Sequence, residues 1–294
     1  ACIPTKELVH ASELSQALGG SPEQRQELPV QILYVDSTDE MMPKNGEARP
    51  DFQVMGQNAS FTNNEFLNIK SVDITYILDH VDNYPSISGI VENAERVKLA
   101  IGALGQAAGQ MRRAGRLLFA VNAQAYINAL NAAFARCFNA SHDESKKYIH
   151  IFAGLSGGTG SGSIVDAIVQ SRKAYPDATI LVYAMIPEMH LPKGGMDQGR
   201  YYPNGYAAVC ELNALQTGRF KPQDVTGIGK IDLFNPQIKG VADGITLYSN
   251  VNDKGLAVNS LSELPTILSD YVFTRIFYID EGNDEKYGDM IRAY

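Results

Sequence analysis

Polar and apolar positions along the chain fall into two patterns, short continuous apolar runs and longer amphipathic stretches. Tyr148 to Ala153 and Thr179 to Ile186 are runs of the kind buried on both faces of a parallel sheet. Val30 to Val35 and Ile245 to Asn250 read as two further strands. Helical spacing takes over between them. It marks Leu8, Ala11, Leu14 and Leu18, then Ala94, Val97, Ile101 and Leu104, then Ile164, Val165, Ile168 and Val169. A basic stretch, Arg112, Arg113 and Arg116, opens a helix expected to run unbroken to Phe138, with Ile127, Leu130, Phe134 and Phe138 on its core face. Another helix starts near Pro203 to Tyr206, and the last spans Leu261 to Tyr278, with Leu264, Leu268, Tyr271, Val272 and Ile276 in register. Met41 to Tyr84 shows no long periodic segment and reads as an irregular excursion, and Thr217 to Gly244 as a loop-rich insertion. Strands alternating with helices predict the α/β class: a doubly wound, mainly parallel sheet with its ligand at the carboxyl edge.

Composition narrows the function more than the fold. The 294 residues are 45% hydrophobic and 20% charged, ordinary for a globular chain. A net charge of −8 with no basic stripe argues against a general nucleic-acid or membrane-surface binder. Cys2, Cys137 and Cys210 are far apart and the five histidines form no metal-like cluster, so a reducing cytoplasm is the expected setting and no zinc site is indicated. The long apolar stretch from Leu117 to Phe138 is interrupted by Asn122, Gln124, Asn128, Asn131 and Arg136, which excludes a membrane span.

The chemistry sits between the run ending at Ala153 and the helix expected from Ile164. There the chain reads Gly154-Leu155-Ser156-Gly157-Gly158-Thr159-Gly160-Ser161-Gly162-Ser163. Glycines let successive main-chain N–H groups turn toward one point, and the following helix adds the positive end of its dipole, so the loop is a cradle for phosphates. It contains no lysine, which rules out a Walker A loop. Gly158, Gly160 and Gly162 miss the dinucleotide spacing by one residue, although Glu188 stands where a ribose acid would be needed. Residues 156–162 resemble the G-G-G-T-G-S-G signature of the tubulin/FtsZ superfamily, with Ser156 in place of the first glycine. The chain looks closest to a divergent bacterial tubulin-like protein.

That resemblance implies a guanine nucleotide, GTP or GDP with Mg2+, held by Gly154, Ser156, Gly157, Gly158, Thr159, Gly160, Ser161 and Gly162. It places Asp36 and Asp39 in an acidic loop near the phosphates or their magnesium; a solvated loop with a capping aspartate is the alternative. Ala108, Gly109, Gln110 and Arg112 correspond to a loop that touches the γ-phosphate. Arginines oppose the dipole at a helix start, so an anionic ligand would explain them, as would surface carboxylates. Asp197 and Asn204 correspond to the ribose-contacting segment, with a plain N-cap equally open for Asn204. Asn250, with Asn252 second, stands where the family hydrogen-bonds the guanine edge; both also suit a turn.

By the same resemblance, residues 1–278 are the nucleotide-binding domain and 279–294 a charged tail. The family's first strand, first glycine loop and second domain are expected to be missing. Family members hydrolyse GTP with acidic residues supplied by the next subunit's second domain. The implied partners are a nucleotide and further copies in a head-to-tail filament, the chain alone hydrolysing slowly or not at all. A regulatory module that binds nucleotide without polymerising, and a dinucleotide-dependent enzyme, are the competing readings.

Overall fold

A computed structural model describes residues 30–43, 53–54, 57–58, 61–70, 73–101, 110–141, 147–187, 199–252, 254–258, 264, 267, 268, 271 and 272. The elements in chain order are strands β1 (Tyr34–Asp36), β2 (Gln53–Val54), β3 (Gln57–Asn58) and β4 (Phe66–Asn68), then helices α1 (Ile74–Asp79), α2 (Pro85–Ser88), α3 (Ala94–Ile101), α4 (Arg112–Val121) and α5 (Ala123–Ser141). They continue with β5 (Tyr148–Gly154), α6 (Thr159–Ala174), β6 (Thr179–Met185), α7 (Tyr201–Gln216) and β7 (Gly244–Tyr248). Strands β5, β6 and β7 form a parallel sheet in that order; β1 and β4 pair in parallel, β2 and β3 antiparallel.

Strand β6 shows why its sequence is a continuous apolar run. Ile180, Val182 and Ala184 face the main core, shared with Ile164, Val165 and Ile168 of α6 and Leu212 and Leu215 of α7. Leu181 and Tyr183 face the other way, where Leu268 and Val272 cover them. Residues 264, 267, 268, 271 and 272, the described part of the expected last helix, are helical. With both faces of a parallel strand covered, the layering is that of a doubly wound α/β domain.

Three sequence expectations change. The helix expected from 112 to 138 breaks at Asn122, whose Nδ2 donates to the Leu118 carbonyl (2.8 Å) and to the Ile69 carbonyl (3.1 Å). An asparagine that occupies its own helix's carbonyls while tying down a neighbouring segment favours ending that helix. The stretch from Met41 to Tyr84 is not a mere excursion: β4 pairs with β1, and Ile69, Ile74, Ile77 and Leu78 enter the main core. Elements of three and six residues are too short to display a period. The third change is at the glycine loop, where the helix begins at Thr159 and not at Ile164. The expected helix near Leu8 to Leu18 and the tail lie outside the described residues.

The 217–243 segment contains no helix or strand and is gripped by side chains from α6 and α7. Arg172 donates through Nε to the Val241 carbonyl (2.9 Å), through Nη1 to the Pro176 and Ala178 carbonyls (2.8 and 2.6 Å), and through Nη2 to Asp243 (2.7 Å). A lysine carries the charge on one atom and cannot span these acceptors. Arg172→Lys is expected to cost about 1.5 kcal/mol, read as a lower urea midpoint at unchanged slope. An unchanged midpoint would remove Arg172 as the fastener. Among the described residues, no helix is long and apolar enough to cross a membrane.

Candidate functional site

The glycine-rich segment forms where β5 ends. Leu155 N–H continues the ladder to the Met185 carbonyl (2.8 Å), and Leu155 is fully buried. Helix α6 then begins at Thr159, five residues earlier than the expected Ile164, so Gly160 and Gly162 lie inside it. Their role there is close packing. A Cβ on Gly160 would stand 2.8 Å from the Gly154 carbonyl oxygen; one on Gly162 would meet the Arg112 carbonyl oxygen and stand 2.8 Å from the Arg116 nitrogen. Gly115 of α4 answers from the other side, since a Cβ there would stand 2.6 Å from the Gly158 carbonyl carbon. Helices α4 and α6 therefore touch backbone to backbone.

What remains as loop is 155–158 with the first turn of α6. Among the described residues, the main-chain N–H groups of Ser156, Gly157, Gly158, Thr159, Gly160 and Ser161 meet no acceptor. A Cβ added at Gly154 or Gly157 would meet nothing within 4 Å, so that side of the loop is open. Donors at a helix N-terminus that meet no protein acceptor can receive an anion.

The carbonyls of the same loop are tied down. Asn204, 8% exposed in the first turn of α7, donates from Nδ2 to the carbonyls of Ser156 (2.9 Å), Gln110 (3.0 Å) and Gly157 (3.3 Å). It is not an N-cap, since Arg200 holds that position. Arg112 donates through Nε to Ser161 Oγ (2.7 Å) and through Nη2 to the Ser161 carbonyl (3.0 Å), while Nη1 and Nη2 grip Glu211 at 3.1 and 2.5 Å. One turn on, Arg116 forks onto Asp166 at 2.9 and 3.2 Å. Asp166 is fully buried, and burial holds its carboxyl above the usual aspartate range, with Arg116 opposing and Glu211 adding to the rise. These two carboxylates account for Arg112 and Arg116 at the start of α4, and Arg113 is exposed.

Of the acidic pair, Asp36 reaches the loop and Asp39 does not. Thr159 Oγ1 donates to Asp36 Oδ1 (3.0 Å), where the Ser37 N–H also binds (2.6 Å), and the Tyr34 hydroxyl donates to Oδ2 (2.8 Å). Burial, then the Asp36 charge, pushes the Tyr34 phenol far up, so it stays protonated and donating. Asp39 is exposed, and its carbonyl closes a turn onto Met42. The described residues hold no cluster of three or more metal-ligating side chains. A magnesium carried by phosphates needs only one or two carboxylates and keeps several waters, which Asp36 can satisfy.

At the same carboxyl edge of the sheet, two strands away from the glycine loop, Asn250 lies two residues beyond β7 with its Oδ1 accepting from Ser249 Oγ (3.3 Å). Asn252 is a turn residue, its Oδ1 accepting the Lys254 and Leu256 N–H groups. Ala108, Gly109, Asp197 and Glu188 lie outside the described residues. Sequence reasoning missed Glu211 and Asp166. Asp166 carried a signal, a charge inside the apolar face Ile164-Val165-Asp166-Ala167-Ile168; Glu211 carried none, because its partner is 99 positions away.

Comparison with known proteins completes the picture. A search of curated proteins finds no match. Among solved structures, CetZ from Methanosaeta thermophila strain DSM 6194 superposes with a TM-score of 0.51 at 14% identity, over 98% of this chain and 56% of that one. The chain thus shares that fold and spans little more than half of the CetZ chain. The family model described as "Tubulin like" matches residues 11–278. By that match over most of its length, the chain belongs to the tubulin-like family.

Proposed function

We propose that this chain binds a guanine nucleotide, GTP or GDP with Mg2+, along residues 154–162, and that nucleotide binding is coupled to head-to-tail self-assembly. The observation that carries the proposal is the row of main-chain N–H groups from Ser156 to Ser161, which meet no acceptor among the described residues and lie beside the open face of Gly157. Such a row fits a polyphosphate in number and charge, with the dipole of α6 adding to the attraction. The bond from Thr159 to Asp36 supports Asp36 as the carboxylate that takes magnesium through water. Membership in the tubulin-like family supports guanine as the base and supports assembly. In this reading Gln110 borders the phosphates and Asn250 is the candidate for the base edge.

The test is a thermal-shift series with GTP, GDP, ATP and NAD, with and without magnesium, with light scattering recorded alongside. Ligand at a hundred times its Kd stabilises by about 2.7 kcal/mol, which is about 5–10 °C for a chain of this size. GTP and GDP should produce that shift and ATP and NAD should not. A shift with NAD alone would transfer the loop to dinucleotide chemistry. GTP-dependent scattering supports assembly, and a shift without scattering leaves a nucleotide-binding module that does not polymerise.

A further inference from the structure

The structure assigns to Asn204 a positioning role: its amide turns the carbonyls of Ser156 and Gly157 into the protein and thereby aims the N–H groups of Gly157 and Gly158 at the phosphates. This rests on the nucleotide reading above and goes beyond it by naming what orients the cradle. A trans peptide is planar, so the C=O of one residue and the N–H of the next point in opposite directions. Fixing the Ser156 carbonyl fixes the Gly157 N–H, and fixing the Gly157 carbonyl fixes the Gly158 N–H. Asn204 Nδ2 does both, at 2.9 and 3.3 Å.

Three carbonyl oxygens around one terminal atom identify that atom as the amide nitrogen. The third acceptor, the Gln110 carbonyl at 3.0 Å, ties the start of α4 into the same bond set. Two hydrogens serve three acceptors, so one is shared. A loop rich in glycine samples many orientations of its peptide planes, and an external clamp removes that freedom before the ligand arrives. Asn204 is buried and its side-chain amide donates to carbonyls of the loop, so it acts through the loop and not on the ligand. Its backbone is held apart from the loop by the Asn204 N–H donating to the Arg200 carbonyl at 2.8 Å.

The experiment is glycine-selective 15N NMR with hydrogen exchange on the whole chain, titrated with GTP and magnesium. In the wild type, the amides of Gly157 and Gly158 should be unprotected when free and become protected on binding. Asn204→Ala should weaken GTP binding about tenfold and lose the added protection at Gly157 and Gly158, while Gly160 and Gly162, held in α6, respond as before. Asn204→Gln, which keeps the donor on a longer arm, should recover part of both. Equal affinity and protection in Asn204→Ala overturns the clamp with the nucleotide reading intact. No response anywhere in 154–162 of the wild type overturns the nucleotide reading first, and the clamp with it. Should Asn204→Ala not fold, the side-chain amide of Asn204 in asparagine-labelled wild type decides: it should stay protected and keep its shift when GTP binds, and exposure or direct contact with ligand overturns the proposal.

Discussion

Arg116→Met is expected to destabilise the fold by about 3 kcal/mol at neutral pH, and by much less in acid. The side chain of Asp166 has no exposed surface, and Arg116 supplies both hydrogen bonds found on its carboxylate. Removing one partner of a buried pair leaves the other charged, desolvated and unpaired; the lower end of the usual cost applies because Arg116 keeps 28% of its surface in water. Burial already raises the Asp166 carboxyl above the ordinary 3.8, and Arg116 is the group that restrains the rise. A carboxyl with a raised folded-state pKa contributes stability that is fully present below the unfolded value and lost as pH climbs through the folded one. Without the guanidinium the folded value rises further, so the penalty of the variant must grow with pH. Urea midpoints of wild type and variant at pH 5 and pH 8 check this, and a penalty equal at both would show that packing and not charge is lost. Asp166→Asn in the Arg116→Met background should restore more than half of the loss, because it removes the stranded charge.

The parts of this fold that could be read from sequence are those where one face or one run decides the outcome. Strand β6 was legible because both its faces are covered, which forces an uninterrupted apolar run, and β5 because one face is buried through Ile149 and Ala153 while Phe152 half-buries the other. The phosphate-cradle reading followed from glycines packed too densely for any ordinary strand-to-helix turn. The glycines nonetheless divide into two kinds that sequence does not distinguish. Gly157 faces open space, whereas Gly160 and Gly162 are inside α6 and pressed against backbone. Asn122 was visible only as a polar interruption of an apolar stretch, and its two carbonyl partners make it the end of a helix. Asn204 was legible as a helix-start residue, but its part in the site depends on where three carbonyls from two other segments come to rest. Long-range pairs such as Arg112 with Glu211 are set by the crossing of helices, about which local pattern is silent.

The two kinds of glycine should separate on mutation, and the contrast is larger than either effect alone. Gly162→Ala places a methyl group against the Arg112 carbonyl and the Arg116 nitrogen, both main-chain atoms. Relief requires α4 to withdraw, and α4 is held by the pairs to Glu211 and Asp166 and by the Arg112 bonds to Ser161. Overpacking of this kind outweighs the roughly 1 kcal/mol that alanine gains over glycine in a helix, leaving a net loss of about 2–3 kcal/mol, or about 5–10 °C in Tm. Gly157→Ala differs in every respect. Its φ is not positive and its new Cβ meets nothing within 4 Å, so the folded state accepts it, and a stiffer unfolded chain makes any change in Tm small and upward. On the proposed reading, that methyl group stands in the space from which the nucleotide would approach the loop amides. Gly157→Ala should therefore keep its Tm and lose most of the GTP-dependent shift, while Gly162→Ala loses Tm first. Differential scanning with and without GTP reads both. A full GTP shift in Gly157→Ala would move the ligand off that face of the loop, and an undiminished Tm in Gly162→Ala would deny that α4 and α6 meet at their backbones.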